Sequence, residues 1–273
     1  MKKTELMARE EQFERERKFS EHVDPPSTKG KKKVSDDYDY LRPGLLNQIG
    51  TFFSVGLFRN AGRVIAGYCG LKIVGKENLR GVRSAVLTCN HINKIDCALV
   101  KSAVPYRRLR ITVGEFNNWS GVFGAMLRAG GTMPFGSTRA TLCHLNAAVS
   151  EYLKKGSFVL FYPEGALWWC YEKPRPMLDG AFYTAAKNGV PVVPMFFTFK
   201  NVRKRRDGSD VKQFTLHIGR PVYPDGTLSV RENILRMRHA AELFCDGVYT
   251  SAYGHRPFYL PPARHPSAAE ESA

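Results

Sequence analysis

Paired cysteines are missing from this sequence. Cys69, Cys89, Cys97, Cys143, Cys170 and Cys245 are scattered, with no Cys-x-x-Cys pair and no Cys/His spacing of the zinc-site kind. A disulfide framework or structural zinc site has no support, and reduced, buried thiols are expected. A long apolar run is also missing. The longest uncharged stretch near the N-terminus, residues 43–58, contains Asn47 and Gln48. It falls short of the roughly 20 apolar residues that a membrane-spanning helix needs. The first 22 residues interleave Glu, Arg and Lys, so no secretory signal is expected. No Gly-x-Ser-x-Gly elbow occurs, and with it goes the signature of a covalent serine mechanism.

Positive charge is abundant. The chain of 273 residues has 41 Lys and Arg against 25 Asp and Glu. Residues 1–40 are balanced at 10 of each sign, so the whole excess of +16 belongs to the remaining body. Such a body calls for an anionic partner: nucleic acid, anionic lipid or a phosphorylated substrate. The basic run Arg203-Lys204-Arg205-Arg206 has no nucleic-acid signature around it, which favours lipid headgroups.

Length sets a prior of one to two domains. Residues 1–40 read as a polar, flexible segment with a Pro- and Lys-rich linker, residues 41–260 as the folded domain, and residues 261–273 as a disordered tail. Within the domain, strand-like segments (71–75, 84–89, 109–113, 157–162, 192–197 and 213–218) alternate with helical patterns. The best helix covers 138–155, with Leu142, Leu145, Val149 and Leu153 on one face and Lys154-Lys155-Gly156 as its stop. This alternation implies an α/β fold with a mixed, largely parallel sheet flanked by helices. Residues 41–68 are denser in apolar side chains, with Arg59 and Arg63 beside them. They read either as an amphipathic segment in a membrane interface or as a core helix packed on the sheet, and the charge excess favours the interface.

Three segments can carry chemistry. The first is Asn90-His91-Ile92-Asn93-Lys94-Ile95-Asp96. In a regular helix, side chains five positions apart diverge by about 140°. His91 and Asp96 meet only if His91 stays in the strand-to-helix turn and Asp96 opens the helix. Asn93 would then be the N-cap, and the helix N-terminus would keep Asp96 ionised. A carboxylate so placed fixes the imidazole tautomer and leaves the other nitrogen as a general base. A structural histidine is the competing reading.

The second segment is Tyr162-Pro163-Glu164-Gly165-Ala166-Leu167-Trp168-Trp169, at the end of a strand where open α/β sheets collect ligands. Lys173-Pro174-Arg175-Pro176 follows, two cations suited to a phosphate. The third is the glycine-rich run from Gly130 to Ser137 with Arg139 at a helix start, which can hold an anion or be an ordinary loop.

In this order the segments resemble the glycerolipid acyltransferase family, typified by 1-acylglycerol-3-phosphate acyltransferases. Its Asn-His-x4-Asp block matches Asn90, His91 and Asp96. Its aromatic-Pro-Glu-Gly block matches Tyr162 to Gly165, and a later block matches Val190-Pro191-Val192-Val193-Pro194. Two positions depart from the pattern. Ser137 stands in place of a second-block arginine, with Arg139 two residues later, and Ala166-Leu167-Trp168 replaces Thr-Arg-Ser.

The resemblance implies acyl transfer from acyl-CoA or acyl-carrier protein to the hydroxyl of 1-acylglycerol-3-phosphate, with no cofactor or metal. His91 would be the base oriented by Asp96. Glu164 and Gly165 would hold the acceptor's glycerol, and Arg175, Arg139 and Lys173 its phosphate. Trp119, Val122, Phe123 and Met126 would border the acyl chain. The place implied is the cytoplasmic face of an anionic membrane, peripheral or monotopic. Another lysophospholipid or amino-lipid hydroxyl is the alternative acceptor, and a catalytically inactive, basic membrane-surface protein the alternative class.

Overall fold

Residues 85–89 (AVLTC) are short, apolar and β-branched in part, and in the computed structural model they form a strand buried at every position. The structure describes residues 3–105, 109–204 and 210–260. Burial on both faces follows from helices covering both sides of the sheet, the usual setting of parallel strands. The strands are β1 (Lys72–Val74), β2 (Ala85–Cys89), β3 (Leu109–Val113), β4 (Thr132–Pro134), β5 (Phe158–Phe161), β6 (Val192–Lys204) and β7 (Asp210–Ile218). Their order is β1-β7-β6-β2-β5-β3-β4. All neighbours pair in parallel except β6 with β7, which are antiparallel. The expected mixed, largely parallel sheet is therefore present.

The C-terminal ends of β2 to β6 share one edge, with β2 near the middle. Period-two alternation divides the core. Val86, Val159 and Phe161 face the helices α5 (Arg139–Lys154), α6 (Gly180–Asn188) and α7 (Val230–Tyr253), while Leu87, Phe158 and Leu160 lie in a second cluster on the other face. Helix α5 is set by a reciprocal cap between Thr138 and Thr141 and keeps Leu145, Val149 and Leu153 buried as expected, whereas Leu142 is exposed. Strand β4 was not legible: three residues ending in proline carry no alternation to read. Arg203 and Lys204 end β6, whereas Arg205, Arg206 and the tail from residue 261 lie outside the described residues.

Helix α2 (Leu45–Tyr68) is packed on the core along one side and leaves apolar side chains exposed on the other. Ser54, Val55 and Gly62 are buried, and Ile65 and Ala66 pack on the cluster below. Leu45, Leu46, Ile49, Phe52, Phe53, Leu57 and Val64 remain exposed. Val122 and Phe123 of the adjoining α4 (Gly121–Ala129) are exposed too. No helix among the described residues is long and apolar enough to cross a membrane.

The N-terminal segment departs from the expectation of a flexible 1–40. Helix α1 (Lys3–Arg15) and the chain after it bury Phe13, Phe19, Val23, Val34 and Tyr40. These apolar residues are spaced irregularly through a polar sequence, so no periodicity announces them. Phe13, Phe19 and Val23 pack with Ala166, Trp168 and Tyr171 in a separate cluster. Glu14, almost wholly buried, accepts from Tyr171 Oη at 2.9 Å and pairs with Lys173 at 2.7 Å.

Two outcomes follow from these contacts. A Cβ on Gly62 would sit 2.6 Å from the Ala98 carbonyl oxygen of α3 (Asp96–Ala103), whereas one on Gly56 would meet open space. Gly62→Leu should cost about 1–3 kcal/mol in urea denaturation, and Gly56→Ala should be neutral or slightly stabilising. The Glu10 carboxyl is pushed up to about 7 by burial, against the pull of Arg175 and the Trp169 backbone. A carboxylic acid raised on folding stabilises at low pH and loses that contribution as pH climbs from its unfolded value, 4.5, through about 7. Amide exchange in α1 should therefore speed up, relative to global opening, between pH 5 and 8, and Glu10→Gln should flatten that dependence.

Candidate active site

Strand β2 ends at Cys89, and the next residue is locked at once. Asn90 donates to the Phe197 carbonyl at 3.0 Å and accepts from the Phe197 amide at 2.7 Å, which pins the turn to β6. His91 then sits in the turn and Asp96 is the first residue of α3. One carboxylate oxygen of Asp96 receives the His91 Nδ1 side at 3.1 Å, the Ile92 amide at 2.8 Å and the Asn93 amide at 2.9 Å. The expected His91–Asp96 contact forms, but not through the expected cap. Ile95 holds the cap position, Asn93 turns its side chain to the Ile95 amide, and Asp96 reaches back over the turn.

Asp96 is fully buried, while the His91 side chain is 27% exposed. Burial pushes the Asp96 carboxyl up, against the opposing pull of His91 and the two backbone amides, so the helix N-terminus is not what dominates its ionisation. With an acceptor at Nδ1, the neutral ring carries its proton there and presents Nε2 as a base. Tyr162 stacks on the ring at 4.1 Å between centroids, a partner that the sequence reading missed. Tyr162 is an aromatic position of a recognised block, and its register at the end of β5 is the signal that could have placed it. The thiols of Cys89 and Cys97 are both pushed up by burial, which disfavours the nucleophilic thiolate.

Glu164 and Arg175 come together, but not as substrate ligands. Glu164 accepts from the His91 amide at 3.0 Å and from the Arg175 side chain. Arg175 also donates to the carbonyls of Phe19 at 2.8 Å, Ala166 at 2.6 Å and His91 at 3.3 Å. Both side chains are almost completely buried. The guanidinium is buried and turned to four acceptors inside the fold, not toward solvent, so the assignment of Arg175 as phosphate ligand is corrected. Glu164 likewise holds the backbone of His91 rather than a glycerol. Lys173, part-buried, is paired with Glu14 of α1, so its charge is already met inside the fold. Gly165 (φ +81°) is exposed after its turn, and Arg139 is exposed at the start of α5, which follows the edge strand β4.

The segment after β5 lies beside the histidine turn, through Trp168 N to His91 O at 3.1 Å and Cys170 N to Ile92 O at 2.8 Å. Trp168 is fully buried and donates its indole N–H to the Glu21 carbonyl at 2.9 Å, whereas Trp169 is exposed. The N-terminal segment thus belongs to the surroundings of the site. What the arrangement can do is take a proton at Nε2 from a hydroxyl beside it, with no covalent intermediate.

Removing either Glu164 or Arg175 leaves an uncompensated buried charge. Glu164→Ala and Arg175→Ala should each destabilise the fold by about 3–5 kcal/mol in denaturant titrations. A phosphate ligand would instead lose substrate affinity at unchanged stability.

Residues 70–198 match the family described as Acyltransferase. No curated protein matches the chain. Among solved structures, the chain is similar to the 1-acyl-sn-glycerophosphate (LPA) acyltransferase PlsC from Thermotoga maritima. The two are 20% identical, over 71% of this chain and 79% of that one, with a TM-score of 0.54, a likeness of fold.

Proposed function

We propose that the chain, whose residues 70–198 match the acyltransferase family and whose motifs resemble its glycerolipid members, acylates 1-acylglycerol-3-phosphate to phosphatidic acid. The observation that carries the reading is the His91–Asp96 pair, a buried carboxylate on Nδ1 of a part-exposed imidazole. His91 Nε2 takes the proton of the acceptor's free hydroxyl as that oxygen attacks the thioester carbonyl of acyl-CoA or acyl-carrier protein. Asp96 holds the tautomer and stabilises the imidazolium that forms. The tetrahedral adduct collapses by breaking the C–S bond, and the proton on His91 passes to the departing thiolate. The products are a diacyl ester and a free thiol, and neither cofactor nor metal is required.

Gly165, through its exposed backbone, and Arg139, beside the N-terminus of α5, are the groups remaining for the acceptor's polar end. The exposed apolar side chains of α2 and α4 would enter the interface of an anionic membrane, on its cytoplasmic face. That attachment lets a body without a spanning helix reach a lipid acceptor, and Trp119, Val122, Phe123 and Met126 would guide the acyl chain. The solved structure of similar fold is that of an LPA acyltransferase, which favours the same acceptor. The internal commitment of Arg175 favours a second reading, in which another lysophospholipid or an amino-lipid hydroxyl takes the acyl group.

Purified protein given lysophosphatidic acid with each thioester donor should yield phosphatidic acid by mass spectrometry. His91→Ala should lose at least about 10³-fold in rate, and Asp96→Asn about 10²–10⁴-fold. Both should still bind anionic liposomes. Undiminished turnover in His91→Ala would remove the mechanism.

A further inference from the structure

Residues 16–36 lie outside the acyltransferase family region, yet they run across the sheet edge where the catalytic pair sits. Arg175 holds the Phe19 carbonyl and Trp168 the Glu21 carbonyl, fixing the segment to the loop after β5. Ser20 lies 3.4 Å from where a Cβ on Gly165 would be. Asp24 approaches Lys94, in the histidine turn, at 4.0 Å. Farther along, Lys32 donates its amide to the Asn118 carbonyl and the Val34 amide meets Glu115, both after β3. Asp36 accepts from Thr138, the cap of α5. The segment therefore spans the loops after β2, β3 and β5 and reaches the one after β4, the rim where open α/β sheets take their ligands.

Within it, Phe19 and Val23 are buried as anchors. His22, between them and half-buried, rests edge-on against Phe116 with centroids 5.0 Å apart. Its charge is coupled to those of His91 and Arg175, both of which oppose its protonation, after the larger effect of burial. Among the described residues no carboxylate pairs with the ring. A half-buried imidazole at the rim, held by Phe116 on its edge and without such a partner, keeps an N–H donor for a ligand.

We propose that His22 is a specificity-determining residue of acyl transfer, donating a hydrogen bond to the phosphate of the acceptor next to His91, as one wall of the cleft built by the N-terminal segment. The inference rests on the acceptor reading above and supplies what that reading lost when Arg175 and Lys173 proved to be internally paired.

The test is steady-state acylation by the full-length protein in mixed micelles, with lysophosphatidic acid and with the corresponding monoacylglycerol. His22→Ala should raise KM for lysophosphatidic acid about tenfold, with kcat within about threefold and KM for the thioester unchanged. His22→Gln, which keeps an N–H donor, should recover most of that loss. Monoacylglycerol turnover should not move in either variant. Equal KM increases for both acceptors, or no increase in a variant with wild-type thermal stability, would overturn the role of His22 and leave the function intact. A wild-type enzyme that turns over monoacylglycerol but not lysophosphatidic acid would overturn both.

Discussion

A buried guanidinium is stable only when its donors are met, and the way Arg175 meets them organises the functional edge of this protein. Its acceptors are the carboxylate of Glu164 and the carbonyls of Phe19, Ala166 and His91. Those atoms come from the N-terminal segment, the loop after β5 and the turn after β2. Glu164 completes the closure by accepting the His91 amide. The histidine turn is thereby clamped from its backbone, while Asp96 clamps it from the ring side through Nδ1 and two further amides. Preorganisation of that sort leaves Nε2 as the one imidazole position available for proton transfer.

The clamp also accounts for one of the two places where the chain departs from the family pattern. Ala166-Leu167-Trp168 gives up polar side chains, and in exchange Trp168 fills a pocket made by Phe13, Phe19 and Tyr171. Packing of Trp168 on Phe19 and Phe13, at ring separations of 5.8 Å and 6.3 Å, then joins the loop to the N-terminal segment. Polar recognition at this point has been replaced by an apolar joint, with Arg175 stacked 4.9 Å over the same indole. The anionic end of an acceptor must accordingly be met by groups other than Arg175 and Lys173. The remaining candidates are the exposed Arg139 at the head of α5 and the half-buried His22 on the segment that the joint holds down.

Helix α2 connects this edge to the place where an acceptor would be found. Its buried side approaches α3 closely enough that only glycine fits at position 62, so the helix is fixed to the element that begins with Asp96. Its outer side leaves leucines and phenylalanines in solvent, an arrangement that costs free energy in water and is relieved in a lipid interface. The exposed apolar face and the His91–Asp96 turn are thus joined through one close helix contact.

Local sequence determined much of this. Short apolar runs alternating with amphipathic stretches specify the parallel sheet, because strand and helix periods differ. The spacing of Asn90, His91 and Asp96 specifies a turn that brings base and carboxylate together. The block ending in Glu164 and Gly165 marks a strand end. Charge type and position in a loop, however, do not reveal whether a cation faces solvent or the interior. Arg175 and Lys173 look alike in sequence to phosphate ligands, and their partners, Phe19 and Glu14, lie more than 150 residues away. The N-terminal segment was illegible for the same reason: isolated apolar residues in a polar stretch acquire meaning only when a distant surface supplies their pocket. Tertiary structure alone decided which charges were consumed inside the fold and which were left to act.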